Sequence, residues 1–322
     1  MKPRILLIGK NGQVGHDLQQ LLPAHGELTA VDRQQIDLSE PETIRRTVRE
    51  IRPQIIINAA AYTAVDQAEK DEPAARAINA TAPGILAAQA KQVGAALIHY
   101  STDYVFDGAK TTPYEESDAT NPLGAYGRTK LAGEQAIRDS GAAHLIFRTA
   151  WVYSTRGKNF LLTILRLATQ REELRIVKDQ IGAPTASHEL AEATAKIVSQ
   201  LSALKNASME ENLAGLSGTY HMTAGGMTNW SEFATTILDH ASAAIERGKS
   251  PGWLVTALNG APVIARRVVP ITTAEYPTPA RRPPYSVLSN ERLVKTFGIR
   301  LPDWNTQLRR VFEVSAEPGP LS

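Results

Sequence analysis

Short apolar runs alternate with longer amphipathic stretches along the first half of the chain. Apolar runs of four to six residues predict strands at 4–8, 55–58, 96–101 and 144–148, and a further strand is predicted at 27–31. Helical periodicity predicts one helix that ends near residue 22 and others at 40–51, 74–93 and 126–140. Such alternation is typical of repeated βαβ units, in which a parallel sheet is covered on both faces. The pattern therefore predicts an α/β fold built on a doubly wound parallel sheet.

A glycine-rich segment joins the first predicted strand to the helix that follows it. The segment reads Gly9-Lys10-Asn11-Gly12-Gln13-Val14-Gly15. Glycines at this point allow a tight turn and close approach of the backbone to a pyrophosphate, with the anion at the helix N-terminus. The second strand ends at Asp32, where a carboxylate can bind the adenosine ribose, whereas the adjacent Arg33 is suited to a 2'-phosphate. The sequence thus predicts a Rossmann-type site for NADPH or NADH and does not distinguish between them.

The second half of the chain has a less regular pattern. A loop at 156–159 precedes a predicted helix at 160–170 and a strand at 174–177; a further strand is predicted at 218–222. The stretch 199–217 contains a predicted polar loop, and 248–284 is too rich in Pro, Gly and Arg to be regular throughout. We predict an NAD(P)-binding Rossmann domain over 1–153, rejoined by parts of 186–245. A smaller C-terminal substrate-binding lobe would comprise 154–185 and 246–322.

Composition narrows the class of partner. The 322 residues are 43% hydrophobic, enough for one large domain or two of ordinary size. A formal net charge of +2 and the lack of Lys/Arg runs predict small-molecule partners rather than nucleic acid or membrane. The chain has no cysteine, which excludes disulfides and thiolate metal sites, and no apolar stretch approaches the roughly 20 residues that span a bilayer. A cytoplasmic location is expected.

Tyr126 and Lys130 are the strongest candidates for chemistry. Positions i and i+4 lie on the same face of a helix, so the phenol and the ammonium can act on one bound molecule. A phenol can donate a proton to a carbonyl oxygen as hydride arrives at the carbon, and a nearby ammonium and oxidised nicotinamide lower its ordinary pKa of about 10. The hydroxyl of Thr102 could hold the same oxygen. Such pairs also occur by chance on solvated helices, so this prediction depends on the cofactor site.

The carboxyl ends of the predicted strands carry further polar and aromatic residues. Residues 59–63 follow one strand, Thr102 and Asp103 follow the next, and Trp151 follows a third. Ligands of doubly wound sheets bind at this edge. We therefore expect Gly12, Ala60, Thr102 and Trp151 to lie on one rim, although they are distant in sequence.

Six motifs together resemble extended short-chain dehydrogenases, and among these the reductases of 4-keto sugar nucleotides. They are Gly9-x-x-Gly12-Gln13-Val14-Gly15, Asn58-Ala59-Ala60-Ala61, Ser101-Thr102-Asp103-Tyr104-Val105-Phe106, Tyr126-Gly127-x-Thr129-Lys130, Arg148-Thr149-x-Trp151-Val152-Tyr153 and Pro277-Thr278-Pro279-Ala280-Arg281-Arg282-Pro283. The resemblance runs from Ile5 to Trp304. It implies reduction of the 4-keto group of dTDP-6-deoxy-L-lyxo-4-hexulose by NADPH or NADH to dTDP-L-rhamnose, a precursor of surface polysaccharide.

The resemblance also implies roles for residues along the cofactor. Gly12, Gln13 and Val14 would contact the pyrophosphate, in a loop that includes Gly9 and Gly15. The remaining implied contacts are Asp32 at the adenosine ribose, Asp37 and Leu38 near the adenine, and Ala60, Ala61 and Thr63 at the nicotinamide half.

At the reaction centre the resemblance makes Tyr126 the proton donor, Lys130 the residue that binds the nicotinamide ribose and tunes Tyr126, and Thr102 the group that orients the keto oxygen. The other implied site residues are Asp103, which contacts the substrate or tunes the site, Trp151, which packs on the sugar, Arg281 and Arg282, which bind the nucleotide diphosphate, and Asn79, which resembles a structural asparagine. Structural salt bridges are the alternative role for the two arginines.

Some members of the family bind Mg2+ at a dimer contact built from carboxylates. Asp17 could supply one carboxylate, but residues 187–189 do not align with the other, and the histidines show no ligand spacing. The sequence therefore leaves the metal and a homodimer open.

Two other functions stay open on the sequence. A sugar-nucleotide dehydratase or epimerase shares the fold and the Tyr/Lys pair, but dehydratases carry Asp-Glu after the threonine, whereas Tyr104 follows Asp103 here. A non-catalytic NADP-binding protein, such as the regulatory subunit of methionine adenosyltransferase, also resembles these reductases. Intact Thr102, Tyr126 and Lys130 favour the enzyme.

Overall fold

A computed structural model describes residues 2–204 and 208–313, so the last nine residues of the predicted lobe lie outside the described residues. The strands are β1 (Arg4–Ile8), β2 (Glu27–Val31), β3 (Ile55–Asn58), β4 (Ala96–Thr102), β5 (His144–Thr149), β6 (Val152–Tyr153), β7 (Glu173–Val177), β8 (Ile181–Gly182), β9 (Thr185–Ala186), β10 (Gly218–His221), β11 (Thr228–Asn229) and β12 (Arg267–Ile271). The helices are α1 (Gln13–Leu21), α2 (Pro41–Ile51), α3 (Val65–Ala68), α4 (Glu72–Arg76), α5 (Ala82–Val93), α6 (Ala125–Ser140), α7 (Phe160–Ala168), α8 (Ser187–Ala203), α9 (Met209–Ala214), α10 (Trp230–Glu246), α11 (Gly252–Leu258), α12 (Glu291–Phe297) and α13 (Trp304–Glu313).

Six parallel strands form the central sheet in the order β10-β5-β4-β3-β1-β2. Every neighbouring pair is parallel, so all carboxyl ends lie at one edge. The chain runs outward in one direction from β1 to β2 and in the other from β3 onward, which places the switch in strand order beside β1. The predicted α/β fold with a doubly wound parallel sheet is confirmed.

Alternate side chains of the strands enter two separate hydrophobic cores, because successive residues of a strand point to opposite faces. Leu7 and Ile57 pack on one face with Leu18 of α1 and Leu190 of α8. The opposite face buries the intervening strand residues beneath α2, α5 and α6. Burial on both faces explains the apolar runs of β1, β3, β4 and β5, whereas the edge strand β2 is partly exposed.

A third core lies outside the sheet. It is formed by residues of α7, α10, α11 and α13 and includes Leu161, Phe233, Leu254 and Leu308, each fully buried. The two-stranded pair of β7 and β12 packs beside α10. No helix in 2–204 or 208–313 combines the length and apolar character required to cross a lipid bilayer.

The helix predicted at 74–93 is interrupted. A π-helical turn at Ala77–Thr81 separates α4 from α5. Such a turn inserts one extra residue and redirects a side chain. Here it carries the buried Asn79, against which α6 packs so closely that a Cβ at Gly133 would lie 2.0 Å from the Asn79 carbonyl oxygen.

The stretch 199–217, predicted to contain a polar loop, also carries helical residues, because α8 continues to Ala203 and α9 spans Met209–Ala214, while residues 205–207 lie outside the described residues. The hydroxyl of Ser208 accepts a hydrogen bond from the N–H of Glu211, and the Glu211 carboxylate accepts one from the N–H of Ser208. This capping box starts a helix that buries Leu213 in the first core. The sequence analysis did not predict this helix, although Ser208 and Glu211 have the spacing of the cap.

Candidate active site

The strand register brings the predicted site residues to one edge of the sheet. Asn58, the last residue of β3, pairs with Ile8 on one side and with His99 on the other. Thr102 ends β4 opposite Thr149, which ends β5 two residues before Trp151. The loops that follow β1, β3, β4 and β5 therefore begin side by side, as expected from the sequence.

The glycine loop fits tightly between β1, α1 and the loop after β3. Gly9 has φ +90°, and a Cβ at this position would lie 2.8 Å from the backbone nitrogen of Ala60. A Cβ at Gly15 would lie 2.1 Å from the Gly9 carbonyl oxygen, so only glycine fits there. Gly12 precedes α1 and no side chain caps this helix, which leaves the first-turn N–H groups of Gln13 and Val14 available to a phosphate.

The predicted adenosine end is an open pocket at the carboxyl end of β2, lined by Asn11, Asp32, Arg33, Gln34 and Asp37. The Asp32 carboxylate accepts hydrogen bonds from Asn11 Nδ2 (3.2 Å) and the Gln34 N–H (3.0 Å), and Lys10 Nζ lies 3.3 Å from it. Arg33 is highly exposed beside Asp37.

Asp37 and Leu38, the two residues predicted to lie near the adenine, differ in exposure, because Asp37 is only half-buried. The hydroxyl and N–H of Ser39 donate to Asp37 and hold the pKa of its carboxyl below the usual range. Leu38, by contrast, is buried in the second core.

Lys130 is fully buried beneath the rim. Its Nζ donates to the carbonyl oxygen of Tyr100 over 2.6 Å and lies 3.2 Å from Nε2 of His99. Burial lowers the pKa of Lys130 to about 8, although the charge of Glu134 acts in the opposite direction. The lysine therefore exchanges its proton in a pH range close to neutrality.

Tyr126, one helical turn before Lys130, is half-buried and meets the ring of Tyr104 edge-on, with centroids 5.5 Å apart. Burial raises the pKa of Tyr126 to about 12, against the opposing effect of the Thr102 hydroxyl. The sequence argument expected Lys130 and oxidised nicotinamide to lower this pKa. In the protein alone the lysine Nζ is directed to β4, and the desolvation of the phenolate prevails.

Thr102 and Asp103 form a buried pair at the end of β4. The hydroxyl of Thr102 donates to Oδ1 of Asp103 over 3.0 Å and accepts from the N–H of Tyr104 over 3.2 Å. Within the described residues, Oδ2 of Asp103 has no hydrogen-bond partner. Burial raises the pKa of Asp103 to about 6, so this carboxyl group is half-protonated in mildly acidic solution.

The loop after β3 is held against α6 by Asn79. Its Oδ1 accepts from the N–H of Tyr62, and its Nδ2 donates to the Tyr62 carbonyl oxygen and to the Thr129 hydroxyl. Ala60 and Ala61 are half-buried in this loop, whereas Thr63 is exposed. Asn79 thus fixes the predicted nicotinamide loop to the helix of Tyr126 and Lys130.

Trp151 adopts a left-handed backbone conformation with φ +50°. Its ring stacks on Trp230 of α10, with centroids 3.5 Å apart and planes inclined by 6°. A Cβ at Gly182 would lie 2.5 Å from the Trp151 ring, so the backbone of β8 packs directly against this ring. The predicted sugar-contacting aromatic ring is therefore fixed by the core around α10.

The two predicted diphosphate-binding arginines have different surroundings. Arg281 is exposed, whereas Nη2 of Arg282 forms an ion pair with Asp66 over 2.9 Å. The Arg282 guanidinium also donates to Thr278 and to the Ala280 carbonyl oxygen. In the described structure Arg282 makes the salt bridge that was the alternative to its predicted role.

The carboxylates considered for Mg2+ are also paired. Asp17 accepts a hydrogen bond from the hydroxyl of Ser187, and Glu189 pairs with Arg310 at 2.8 Å. The ranges 2–204 and 208–313 contain no cluster of three or more His, Cys, Asp or Glu side chains that could hold a metal ion.

Several residues around the site were missed by the sequence argument. His99 contacts Lys130, Asp66 pairs with Arg282, and Trp230 stacks on Trp151. A histidine inside an otherwise apolar strand was a usable signal for His99. Asp66 and Trp230 lie more than 70 residues from their partners, and no local pattern connects them.

The fold, the glycine loop and the Thr/Tyr/Lys group define an NAD(P)-dependent oxidoreductase of the extended short-chain dehydrogenase class. A family model described as RmlD substrate binding domain matches residues 1–316. The chain belongs to this family, the dTDP-4-dehydrorhamnose reductases.

Individual relatives cover nearly the whole chain. The dTDP-4-dehydrorhamnose reductase of Burkholderia thailandensis is 48% identical over 303 residues, 94% of this chain and 95% of that protein. The Escherichia coli K12 enzyme of the same name is 45% identical, with coverage of 95% and 96%. The crystal structure of dTDP-4-dehydrorhamnose reductase from Bacillus anthracis in complex with NADP superposes with a TM-score of 0.83, at 35% identity and coverage of 97% and 99%.

Proposed function

We propose that this protein reduces the 4-keto group of dTDP-6-deoxy-L-lyxo-4-hexulose to dTDP-L-rhamnose with NADPH or NADH, and so supplies rhamnose for surface polysaccharide. The observation that carries the proposal is the packing of α6 on the carboxyl end of β4, where the ring of Tyr126 meets Tyr104 two residues after Thr102 and the buried Lys130 contacts β4. Family membership over nearly the whole chain supports the substrate.

The side chains at the rim suit proton delivery to a carbonyl oxygen. Tyr126 has a phenolic proton that it retains at neutral pH, and the Thr102 hydroxyl acts on the pKa of this phenol. A keto oxygen placed between the two hydroxyls would receive a hydrogen bond from each as negative charge develops. Tyr126 would then donate its proton to that oxygen, and Lys130 would stabilise the resulting phenolate.

The glycine loop and the adjacent rim suit a dinucleotide. Bound there, the reduced nicotinamide supplies the hydride. Gln13 and Val14 would donate backbone N–H groups to the pyrophosphate, since no side chain caps α1. Asp32 would accept from the adenosine ribose, and Ala60, Ala61 and Thr63 would border the nicotinamide half.

The division of labour within the chain belongs to the same proposal. Residues 1–153 with parts of 186–245 would form the cofactor-binding domain, supported by the place of β10 at the edge of the central sheet. Residues 154–185 and 246–322 would form the substrate-binding lobe. Trp151 would pack on the sugar, and Arg281 is the freer of the two arginines for the diphosphate.

The test is an assay of reduced-nicotinamide absorbance with the purified protein, NADPH or NADH, and enzymatically generated dTDP-6-deoxy-L-lyxo-4-hexulose. Oxidation with dTDP-L-rhamnose as the product supports the proposal and ranks the two cofactors. Tight dinucleotide binding without oxidation would contradict it and would favour a different 4-keto sugar nucleotide or the regulatory-subunit function.

A further inference from the structure

Lys130 lies at the end of a chain of hydrogen bonds that starts at the backbone of Ala60. The N–H of Ala60 donates to Oδ1 of Asn58 over 3.2 Å, and Nδ2 of Asn58 lies 3.1 Å from Nδ1 of His99. Nε2 of His99 lies 3.2 Å from Nζ of Lys130, which donates to the carbonyl oxygen of Tyr100. Asn58, His99 and Lys130 are at most 1% exposed, so solvent does not compete for these contacts.

The direction of this chain is determined at its first member. A backbone N–H can only donate, so the amide oxygen of Asn58 faces Ala60 and its NH2 group faces His99. Nδ1 of His99 must then accept, which places the single proton of a neutral imidazole on Nε2. Burial holds the pKa of His99 well below its usual range, in agreement with a neutral ring. The Nε2–H bond therefore faces Nζ of Lys130.

This arrangement opposes a positive charge on Lys130. An ammonium group has three donors and no acceptor, so it would meet the N–H of His99 donor to donor at 3.2 Å. A neutral amine removes the conflict, because its lone pair accepts from Nε2–H while one N–H donates to Tyr100. The other tautomer of His99 would only move the conflict to the NH2 group of Asn58.

Other ionisable groups around Lys130 do not restore a compensating charge. The groups on the packed elements are Glu134 and Tyr126 on α6, Asp103 after β4, Arg148 on β5 and Arg138 at the end of α6. Glu134 favours the ammonium, but its carboxylate already binds Arg148 at 2.7 Å and Arg138 at 3.2 Å. Asp103 has its own pKa raised by burial to about 6.

We propose that His99 is a positioning residue that opposes the ammonium form of Lys130, so that dinucleotide binding is coupled to the uptake of one proton by this lysine. The inference rests on the proposed cofactor. Ribose hydroxyl oxygens can accept hydrogen bonds from an ammonium group, whereas Nε2–H of His99 cannot. The proton comes from solvent and is retained while the cofactor is bound. A charged Lys130 one turn from Tyr126 then favours the phenolate, which the protein alone disfavours.

The first test measures NADPH binding to the wild-type protein between pH 7 and 10. If the ammonium form binds, affinity is constant below the pKa of Lys130 in the free protein and falls about tenfold per pH unit above it. The pKa of about 8 places the start of this decline near pH 8. Calorimetry in two buffers of different ionisation enthalpy should show proton uptake that approaches one per NADPH above that pH.

Two variants distinguish the effect of the His99 N–H donor on Lys130 from the effect of burial. His99→Leu removes the N–H donor that faces Lys130. Asn58→Asp reverses the direction of the hydrogen bonds, because a carboxylate accepts both from the Ala60 N–H and from Nδ1–H of His99. Nε2 of His99 is then free to accept a hydrogen bond from the ammonium group of Lys130. In both variants the decline in affinity should begin at least about one pH unit higher. His144→Leu, which replaces a histidine on the neighbouring strand β5, should keep the wild-type profile. Lys130→Met should abolish both the decline and the proton uptake.

An unchanged onset of the decline in folded His99→Leu and Asn58→Asp proteins would overturn the proposal. Wild-type protein that binds NADPH without proton uptake up to pH 10 would also overturn it, and this measurement decides the matter if neither variant folds. Failure to bind either NADPH or NADH at any pH would reject the proposed cofactor as well. If the variants bind the cofactor but their affinity begins to decline at the wild-type pH, only the role of His99 is rejected. Failure of this proposal and failure of the proposed cofactor are therefore distinguishable.

Discussion

The two ends of the predicted cofactor site differ in how their polar groups are satisfied. At the reaction centre, Asn58, His99 and Lys130 are buried and contact one another directly. At the adenosine end, Arg33 and Asp37 lie in an open pocket where water reaches the charges. Donor and acceptor matching therefore controls protonation at the buried end, because a mismatch has no solvent to relieve it. At the exposed end, the charge of Arg33 should give only a modest preference for NADPH over NADH.

The largest effect should follow loss of the buried proton donor. Tyr126→Phe should lower kcat by about 10²–10⁴-fold, because it removes the proton donor while leaving the ring in place. NADPH affinity, measured by fluorescence titration, should stay near wild type. Tyr114→Phe is the matched control, since the Tyr114 hydroxyl bonds Asp107 and the Lys110 backbone rather than the rim. Substantial turnover by Tyr126→Phe would contradict the assigned role.

Ion pairs should show the same contrast in folding stability. Arg148 makes a two-pronged contact with Glu134, and both side chains are at most 4% exposed. Arg148→Met should lower the free energy of unfolding by about 3–5 kcal/mol, because it leaves a buried carboxylate without its main partner. Arg267 makes a similar contact with Glu173 on the surface, and Arg267→Met should change stability by less than about 1 kcal/mol. Equal losses in urea unfolding would refute the contrast.

Asp103 should make stability fall as pH rises. Its folded pKa of about 6 exceeds the ordinary 3.8, so the folded state holds the proton more tightly and loses stability between those pH values. Asp103→Asn removes this penalty and should be more stable than wild type by up to about 3 kcal/mol at pH 7, with little difference at pH 3. Urea unfolding at both pH values measures the difference.

Asp107 supplies the control of opposite sign for that experiment. Hydrogen bonds from the Ala109 N–H and from Asn121 hold its pKa below the usual range. Its ionised form therefore stabilises the fold above the unfolded pKa, and the contribution disappears as pH falls. Asp107→Asn should destabilise the protein at pH 7, and a parallel pH trend in the two variants would be inconsistent with burial as the cause at Asp103.

The smallest effect is expected at the adenosine pocket. Arg33→Gln should raise the KM for NADPH by a factor of about two to five and leave the KM for NADH unchanged, because an exposed guanidinium contributes little to a phosphate contact. The difference should shrink at high salt. Arg49→Gln, an exposed change on α2, should leave both values unaltered. A change of more than tenfold in the KM for NADPH would contradict this. It would show that the pocket is less exposed to solvent than the 80% exposure of the Arg33 side chain indicates.

Much of the sheet and the site framework could be predicted from local pattern. The predicted strands at 4–8, 27–31 and 55–58 agree with β1, β2 and β3 residue for residue. In β1 and β3 the continuous apolar run marks a strand buried on both faces. The order of strand, glycine turn and helix placed the loop of Gly9 to Gly15 correctly. The π-helical turn before α5 was not predictable, because its residues suit an ordinary helix and Gly133 of α6, which packs on Asn79, is distant in the sequence.

By itself, the sequence determined the element order, the glycine turn and the one-turn spacing of Tyr126 and Lys130, because each depends on neighbours within a few residues. The tertiary structure alone decided that Nε2 of His99 meets Lys130, that Asp66 pairs with Arg282, and that Trp230 supports Trp151. These partners are separated by 31 to 216 residues, and their contacts arise only when parallel strands and distant helices pack. Protonation at the buried centre is therefore a property of the fold, whereas the candidate residues are a property of the sequence.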